Sequence, residues 1–387
     1  MRKFMAVLCV LFVTAMGCRQ EMTKGSATTS HVDTITVVPL PDGAFPSFNP
    51  KFNYTIDGVS VADDHGRYPT IYVATTTWMY GPTAHLYSSR MGAFTTKNDW
   101  NELQVSSRLS GDQHYKVSFD TPNHGWIITT HYVTAPATTY NPLGYSEFDV
   151  RETKDGGVTW GDINMLHFND WEFYRGEALL WDTNKGLHYW GASQTRGDRF
   201  PIGMSASGGS WIGPAFYPKG ADDYQFVQPD ANGTVYLTGR ETSGTSLNAI
   251  WQSTDGTNWQ QFLPDQQTML NDEFFTFGTP GGVPTAYGRN FIRTPSGYAQ
   301  YPPHVAQPIH GAHVQGDRIW IVDLSQTVWF SENGGVDWRA VYVGQWPDFI
   351  LHTVSNGPRT PVYFVNGRDG MWITTQSGRS MILHQYR

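Results

Sequence analysis

His114 and His131 flank a segment that reads as a β-hairpin. Gly111-Asp112-Gln113-His114-Tyr115-Lys116-Val117-Ser118-Phe119-Asp120 leads into the turn Thr121-Pro122-Asn123-His124-Gly125 and then the run 126–133. A turn centred near Pro122-Asn123 sets Phe119 opposite Trp126 and Val117 opposite Ile128 on an apolar face. On the other face Lys116 meets Thr129 and His114 meets His131. Two imidazoles side by side can move a proton to and from a bound molecule. They can equally be a structural cross-strand pair on a wetted face, and a one-residue slip of register separates them.

His304, His310 and His313 fall within one short stretch that also holds Pro302, Pro303 and Pro308, so it reads as a loop on a ligand-facing rim. Its spacing matches no metal motif. The neighbours Asp222-Asp223 and Asp272-Glu273 point to opposite faces of an extended chain and make poor acid/base pairs. No metal and no cofactor is expected.

The elements that must position these groups are strands. After residue 17 no segment keeps a helical period, whereas β-prone runs such as 34–38 and 318–322 recur between Gly, Pro, Asn and Asp clusters. The turns repeat. Thr153-Lys154-Asp155-Gly156-Gly157-Val158-Thr159-Trp160 and Ser331-Glu332-Asn333-Gly334-Gly335-Val336-Asp337-Trp338 share the Asp-box pattern S/T-x-D-x-G-x-x-W. Ser253-Thr254-Asp255-Gly256-Thr257-Asn258-Trp259 is one residue shorter, and Ser205-Ala206-Ser207-Gly208-Gly209-Ser210-Trp211 lacks the aspartate. In such a turn the hydroxyl and carboxylate bond the backbone, the glycines take positive φ and the tryptophan packs beneath. These residues are structural, so Asp155, Asp255 and Asn333 are not offered as catalysts. The box tryptophans are spaced 51, 48 and 79 residues apart, and the last step fits two blades of about 40 residues with one box missing. A decayed box at 87–100 and a hairpin at 374–379 extend the series. The fold class is therefore all-β: one β-propeller of about seven blades, with six as the alternative, each a four-stranded antiparallel sheet. The strand near Ile35 closes it against the last blade.

The first residues carry a different message. Met1-Arg2-Lys3, an apolar run to Val13 and Thr14-Ala15-Met16-Gly17-Cys18 have the layout of a secretory signal and resemble a lipoprotein lipobox. Residues 1–17 are read as signal peptide, 18–32 as a flexible tether and 33–387 as the propeller, with the lipid on Cys18. Cleavage without lipidation is the alternative. The two cysteines are Cys9 and Cys18, so the propeller has no disulfide. A net charge of −8 and the absence of basic runs argue against nucleic acid. Aromatics at 14% against 16% charged residues suit strands that pack on both faces and also sugars that stack on rings. The membrane is engaged through the lipid only.

Asp-box hairpins in an exported propeller resemble the sialidase-like BNR-repeat superfamily, whose members include sialidases, other glycoside hydrolases, polysaccharide lyases and non-catalytic proteins. The sialidase pattern implies an early arginine, for which Arg67-Tyr68-Pro69 is an imperfect match, and later arginines at Arg175 and at Arg289 or Arg293 to clamp a carboxylate. The acid/base carboxylate has no place, because 70–97 contains no Asp or Glu. Asp112-Gln113-His114 before a Gly-centred hairpin is similar instead to propeller polysaccharide lyases. That resemblance implies Tyr174 and Arg196 beside His114 and His131 as the catalytic set, with Arg175 and Arg67 binding substrate. Arginine would neutralise a uronate carboxylate while His or Tyr removes the acidified proton. The expectation is an acidic polysaccharide or glycan as partner, cleaved in the central pocket. A non-catalytic binding or assembly lipoprotein and an exo-sialidase are the alternatives.

Overall fold

The computed structural model describes residues 33–40, 54–62, 69–77, 83–90, 100–105, 114–133, 145–166, 179–183, 186–195, 198–205, 211–212, 221–227, 234–241, 248–254, 260–263, 274–343, 362–367, 370–375 and 380–386. These residues form seven four-stranded antiparallel sheets. Six are meanders of consecutive strands. Blade 1 is β2 (Tyr54–Ala62), β3 (Thr70–Thr77), β4 (Thr83–Arg90) and β5 (Asn101–Leu103). Blade 2 is β6 (His114–Phe119), β7 (Gly125–Val133), β8 (Tyr145–Thr153) and β9 (Gly161–Leu166). Blade 3 runs from β10 (Leu179–Thr183) through β11 (Gly186–Thr195) and β12 (Asp198–Ser205) to β13 (Trp211–Ile212). Blade 4 runs from β14 (Ala221–Val227) through β15 (Val235–Glu241) and β16 (Asn248–Ser253) to β17 (Gln260–Leu263). Blade 5 is β18 (Phe274–Gly278), β19 (Thr285–Gly288), β20 (Ile292–Thr294) and β21 (Gly297–Ala299). Blade 6 is β22 (Gly311–Gln315), β23 (Arg318–Val322), β24 (Val328–Ser331) and β25 (Arg339–Tyr342).

The seventh blade takes β26 (Val362–Gly367), β27 (Gly370–Thr375) and β28 (Ser380–Gln385) from the C-terminal end and β1 (Thr34–Pro39) from the N-terminal end. Ile35 pairs with His384, as the sequence leads one to expect. First strands of successive blades pack on one another, β26 on β2, β2 on β6, β6 on β10, β14 on β18, β18 on β22 and β22 on β26, while β14 meets β11 and β12. The ring is closed.

The core lies between blades rather than inside any one of them. Trp320, Val322, Val328 and Phe330 of blade 6 pack on Phe364, Met371, Ile373 and Ile382 of blade 7. Val38, Leu40, Trp372, Met381 and Leu383 of blade 7 pack on Ile56, Ile71 and Val73 of blade 1. A sheet buried on both faces needs apolar residues at consecutive positions, which is why β23 reads Arg-Ile-Trp-Ile-Val instead of alternating.

Each of the four recognisable boxes lies between the third and fourth strands of its blade. In blade 2, Thr153 Oγ1 donates to Asp155 Oδ1 at 2.8 Å and accepts from the Gly157 amide at 2.8 Å, and the Thr159 amide donates to Asp155 Oδ1 at 2.8 Å. In blade 6, Ser331 Oγ accepts from the Gly335 amide at 2.9 Å and Asn333 Oδ1 accepts from the Asp337 amide at 2.9 Å. Gly157 and Gly335 hold φ of 91° and 86° in these turns. Blade 5 has no box and turns tightly through Pro295 and Ser296.

Closure is reinforced by a charged latch. Arg339, the first residue of β25, donates from Nε to Asp33 Oδ2 at 2.6 Å and from a terminal nitrogen to Oδ1 at 3.1 Å. His384 Nε2 lies 3.2 Å from Asp33 Oδ1, and its Nδ1 accepts from Trp320 Nε1 at 3.0 Å, so the Nε2 nitrogen carries the proton toward the carboxylate. Burial alone would raise the Asp33 pKa, but the bonds from His384 and Arg339 outweigh it and bring it down to about 2. A carboxyl whose folded pKa is depressed stabilises the fold above its unfolded value of 3.8, and that contribution is lost as pH falls toward about 2. Asp33→Asn is expected to cost about 2 kcal/mol at neutral pH. It should also flatten the decline of unfolding free energy between pH 4 and pH 2, read by denaturant titration at each pH. An unchanged acid limb would assign closure to the strand pairing alone.

Candidate functional site

The propeller has two chemically distinct edges. The Gly156 amide donates to Asn123 O and the Gly334 amide to Asp317 O, both at 2.9 Å, so the boxes share an edge with the turns between first and second strands. Turns between second and third strands, and the connections between blades, must lie on the opposite edge. His114 begins β6 and His131 lies near the end of β7, both at that opposite edge. Their side chains, together with Arg67, Tyr174, Arg175, Arg196 and Cys18, lie outside the described residues. The segment 167–178 joins β9 to β10 and 196–197 joins β11 to β12, between strand ends at the opposite edge. The segment 63–68, with Arg67, joins strand ends on the Asp-box edge.

The register of the β6–β7 hairpin corrects the expected histidine pairing. Phe119 pairs with Gly125, Val117 with Ile127 and His114 with Thr130, one residue out of the expected alignment. His131 pairs with Glu147 of β8. Alternation then puts positions 114 and 131 on opposite faces of the sheet. The pairing of Phe119 with Gly125 encloses a five-residue loop, 120–124, where the expected pairing with Trp126 enclosed six. His124 closes it, with Nδ1 at 2.8 Å from Asp120 Oδ2 and Nε2 at 3.0 Å from Glu152 Oε1. A Cβ on Gly125 would come within 2.4 Å of the Phe119 ring, which itself stacks on Tyr72 of blade 1.

One residue near this edge is invisible to pattern reading. Asp57 is buried on β2 at a bulge between Ile56 and Gly58, and its Oδ2 accepts from Thr76 Oγ1. Asp-Gly normally signals a hairpin turn, so the sequence disguises a carboxylate inside an innermost strand.

The best-described part of the opposite edge spans blades 5 and 6. The connection from Tyr301 to His310 is knitted to both blades. Tyr301 donates to Gly288 O at 2.7 Å, the Ile309 amide to Arg289 O at 2.9 Å and the His310 amide to Val322 O at 2.8 Å. Its central anchor is Asp323, fully buried in the turn after β23. Asp323 Oδ2 accepts from the Ala306 amide at 3.1 Å and Trp329 Nε1 at 2.8 Å, and Oδ1 from Ser325 Oγ at 2.7 Å and the Thr327 amide at 3.0 Å. Partial burial, with the nearby Arg289 charge, pushes the His310 imidazole pKa below its usual value against the opposing pull of Asp323. Arg289 and His310 are both half-exposed at this edge.

The three clustered histidines diverge. His304 is exposed and lies on the Trp329 ring, with centroids 4.6 Å apart, whereas His313 packs between blades against Phe364, where burial pushes its pKa down to about 4. Among the described residues no group of three or more His, Cys, Asp or Glu could hold a metal ion. Of the two later arginines, Arg293 is fully buried with its guanidinium 6.0 Å from the Tyr298 ring centroid, whereas Arg289 is half-exposed.

No family model matches the chain, and no curated protein matches it. Solved structures do. The chain is 17% identical to YCF48 bound to D1 peptide, covering 91% of this chain and 96% of that one at a TM-score of 0.54. YCF48 from Cyanidioschyzon merolae is 13% identical, with 91% and 98% covered at 0.50. Puromycin hydrolase is 8% identical, with 87% of this chain and 53% of that one covered at 0.51. At these identities the likeness is one of fold alone: a β-propeller.

Removing the Asp323 carboxylate orphans four donors, each of which loses a charge-assisted bond. Asp323→Ala should destabilise the propeller by about 3 kcal/mol and shift the Trp329 emission, read together in thermal unfolding monitored by fluorescence. A change within error would mean that the connection from Tyr301 to His310 is held by other contacts.

Proposed function

We propose that this chain is an exported, lipid-anchored propeller that engages an acidic carbohydrate at the edge opposite its Asp boxes. The observation that carries the reading is Arg289, a half-exposed cation at the turn between the second and third strands of blade 5, whose backbone carbonyl is bonded by the amide of Ile309 next to His310. Trp329 with His304 on its ring supplies an aromatic surface at the same edge, suited to the apolar face of a sugar. Chain order is consistent with it: β6 begins with His114 at this edge, and the segments containing Tyr174, Arg175 and Arg196 join strand ends there. If cleavage occurs, arginine neutralises the carboxylate and His or Tyr moves the proton.

A non-catalytic binding or assembly role is the second reading, and Asp323 favours it. The buried carboxylate best placed at this edge is consumed by four structural bonds and is not free to act as acid or base. A propeller of this shape has been seen holding a peptide, in YCF48 bound to D1 peptide.

Calorimetry with uronate-containing oligosaccharides against size-matched neutral ones tests the ligand class. Acidic oligosaccharides should bind preferentially, and Arg289→Ala should weaken them by roughly tenfold or more while leaving the melting temperature near that of the parent. Equal affinity for neutral and acidic sugars would overturn the reading. Ultraviolet absorbance of an unsaturated product reports elimination, a sialoside assay reports hydrolysis, and binding without either product selects the non-catalytic role. For the anchor, Cys18→Ser should move the protein from the membrane to the soluble fraction.

A further inference from the structure

The N-terminal end of β1 has a defined address on the propeller. Thr34 pairs with Gln385 and Pro39 with Ser380. Ser380 follows the turn between the second and third strands of blade 7, at the site-bearing edge, so Thr34 sits at the Asp-box edge. Asp33 confirms this independently, because its partner Arg339 directly follows the blade 6 box and also contacts Glu332 within that box, at 3.4 Å. The chain therefore enters the fold through the Asp-box edge, and the latch holds it there.

We propose that the Asp-box edge faces the lipid surface and that the edge bearing Arg289 and His310 points away from it. This orientation rests on lipidation of Cys18. Residues 19–32 lie between that cysteine and Asp33, and fourteen residues behaving as a coil span about 20 Å. The nine residues of β7 make a blade about 30 Å tall. The average span of such a segment is below the edge-to-edge distance, so the lipid lies on average on the side where the chain enters. Box tips on this edge present Asp155, Asp337 and the adjacent Asp317 against Lys154 and Arg318, an acidic balance that anionic lipid does not attract. Val158 and Val336 are 72% and 78% exposed at equivalent box positions, too far apart in the ring to form one apolar patch. The edge faces the membrane because it is tied there, without adhering. A ligand then approaches from outside, which suits a polymer in solution or on a neighbouring surface better than a lipid headgroup in the same membrane.

The test uses the full chain carrying Cys9→Ser, with an azide-bearing residue at position 336 on the Asp-box edge or at position 324 on the opposite edge. A fluorophore is attached through the azide. Cys18 is joined to the bilayer either by the cell's own lipid, verified by intact mass, or by coupling its thiol to a maleimide-headgroup lipid. Vesicles are phosphatidylethanolamine and phosphatidylglycerol with a headgroup quencher. Quenching at position 336 should exceed that at position 324 severalfold, with the same order in low and high salt. Equal or reversed quenching overturns the orientation. Absence of lipid by mass, with the expected order after chemical coupling, would instead locate the failure in the lipidation reading.

Discussion

Where their side chains are described, the blades of this protein present apolar residues on both faces, as blade 7 does to blades 6 and 1, and neither face can be left in water. That requirement leaves a ring as the solution, because in a ring each blade covers the next and none is terminal. The whole core is therefore hostage to the seventh blade, assembled from both ends of the described chain. Pairing of β1 with β28 supplies the missing outer strand, and Val38 and Leu40 reach from it into the cluster shared with Ile56, Ile71 and Val73. The Asp33 latch joins that strand to blade 6 rather than to its own blade alone. Opening it exposes both flanks of blade 7 at once, so closure behaves as a cooperative event.

The Asp boxes solve a smaller problem, how to fix the outer hairpin of a blade whose fourth strand is short. The two fully described copies reach the same geometry through different chemistry. In blade 2 the carboxylate of Asp155 accepts from both the amide and the hydroxyl of Thr159. In blade 6 the Asn333 amide group accepts from the Asp337 backbone and donates to the Asp337 carboxylate. The motif thus requires an Oδ1 acceptor at this position, and the charge can sit on either side of the turn. Such turns carry no catalytic information, which is consistent with fold-level likeness both to a protein bound to a peptide and to a hydrolase.

What could be read from the sequence follows from which contacts are local. Box turns, strand runs and the closing strand near Ile35 are local patterns, and the structure has them with seven blades. The β6–β7 register was not readable, because it depends on Phe119 stacking on Tyr72 across a blade boundary and on Glu152 reaching His124 from another strand. Asp57-Gly58 places a turn-type pair inside β2, at a bulge where Thr76, nineteen positions away, donates to Asp57. The histidine run 304–313 looked like one cluster, yet the connection crosses from the rim into a strand, so His304 meets solvent while His313 meets Phe364. Of the candidate site, Arg289 was legible as a carboxylate clamp only as one of two arginines. That Arg293 is fully buried and Arg289 half-exposed depends on packing that the sequence does not display.

The division between edges is the consequence with the widest reach. On the Asp-box edge the backbone is consumed by tight turns bonded to one another, as Gly156 is to Asn123 and Gly334 to Asp317. Little polar valence is left there for a ligand. On the other edge the long connections between blades have room to vary, and the one described in full spends a buried carboxylate, Asp323, to hold a loop that carries His304 and His310 against Trp329 and Arg289. The edge through which β1 enters and the edge built from the connections between blades are both products of the same up-and-down strand order. Sequence can change on the second without disturbing the first, because the contacts that close the ring run between blade faces and through the latch, away from those connections.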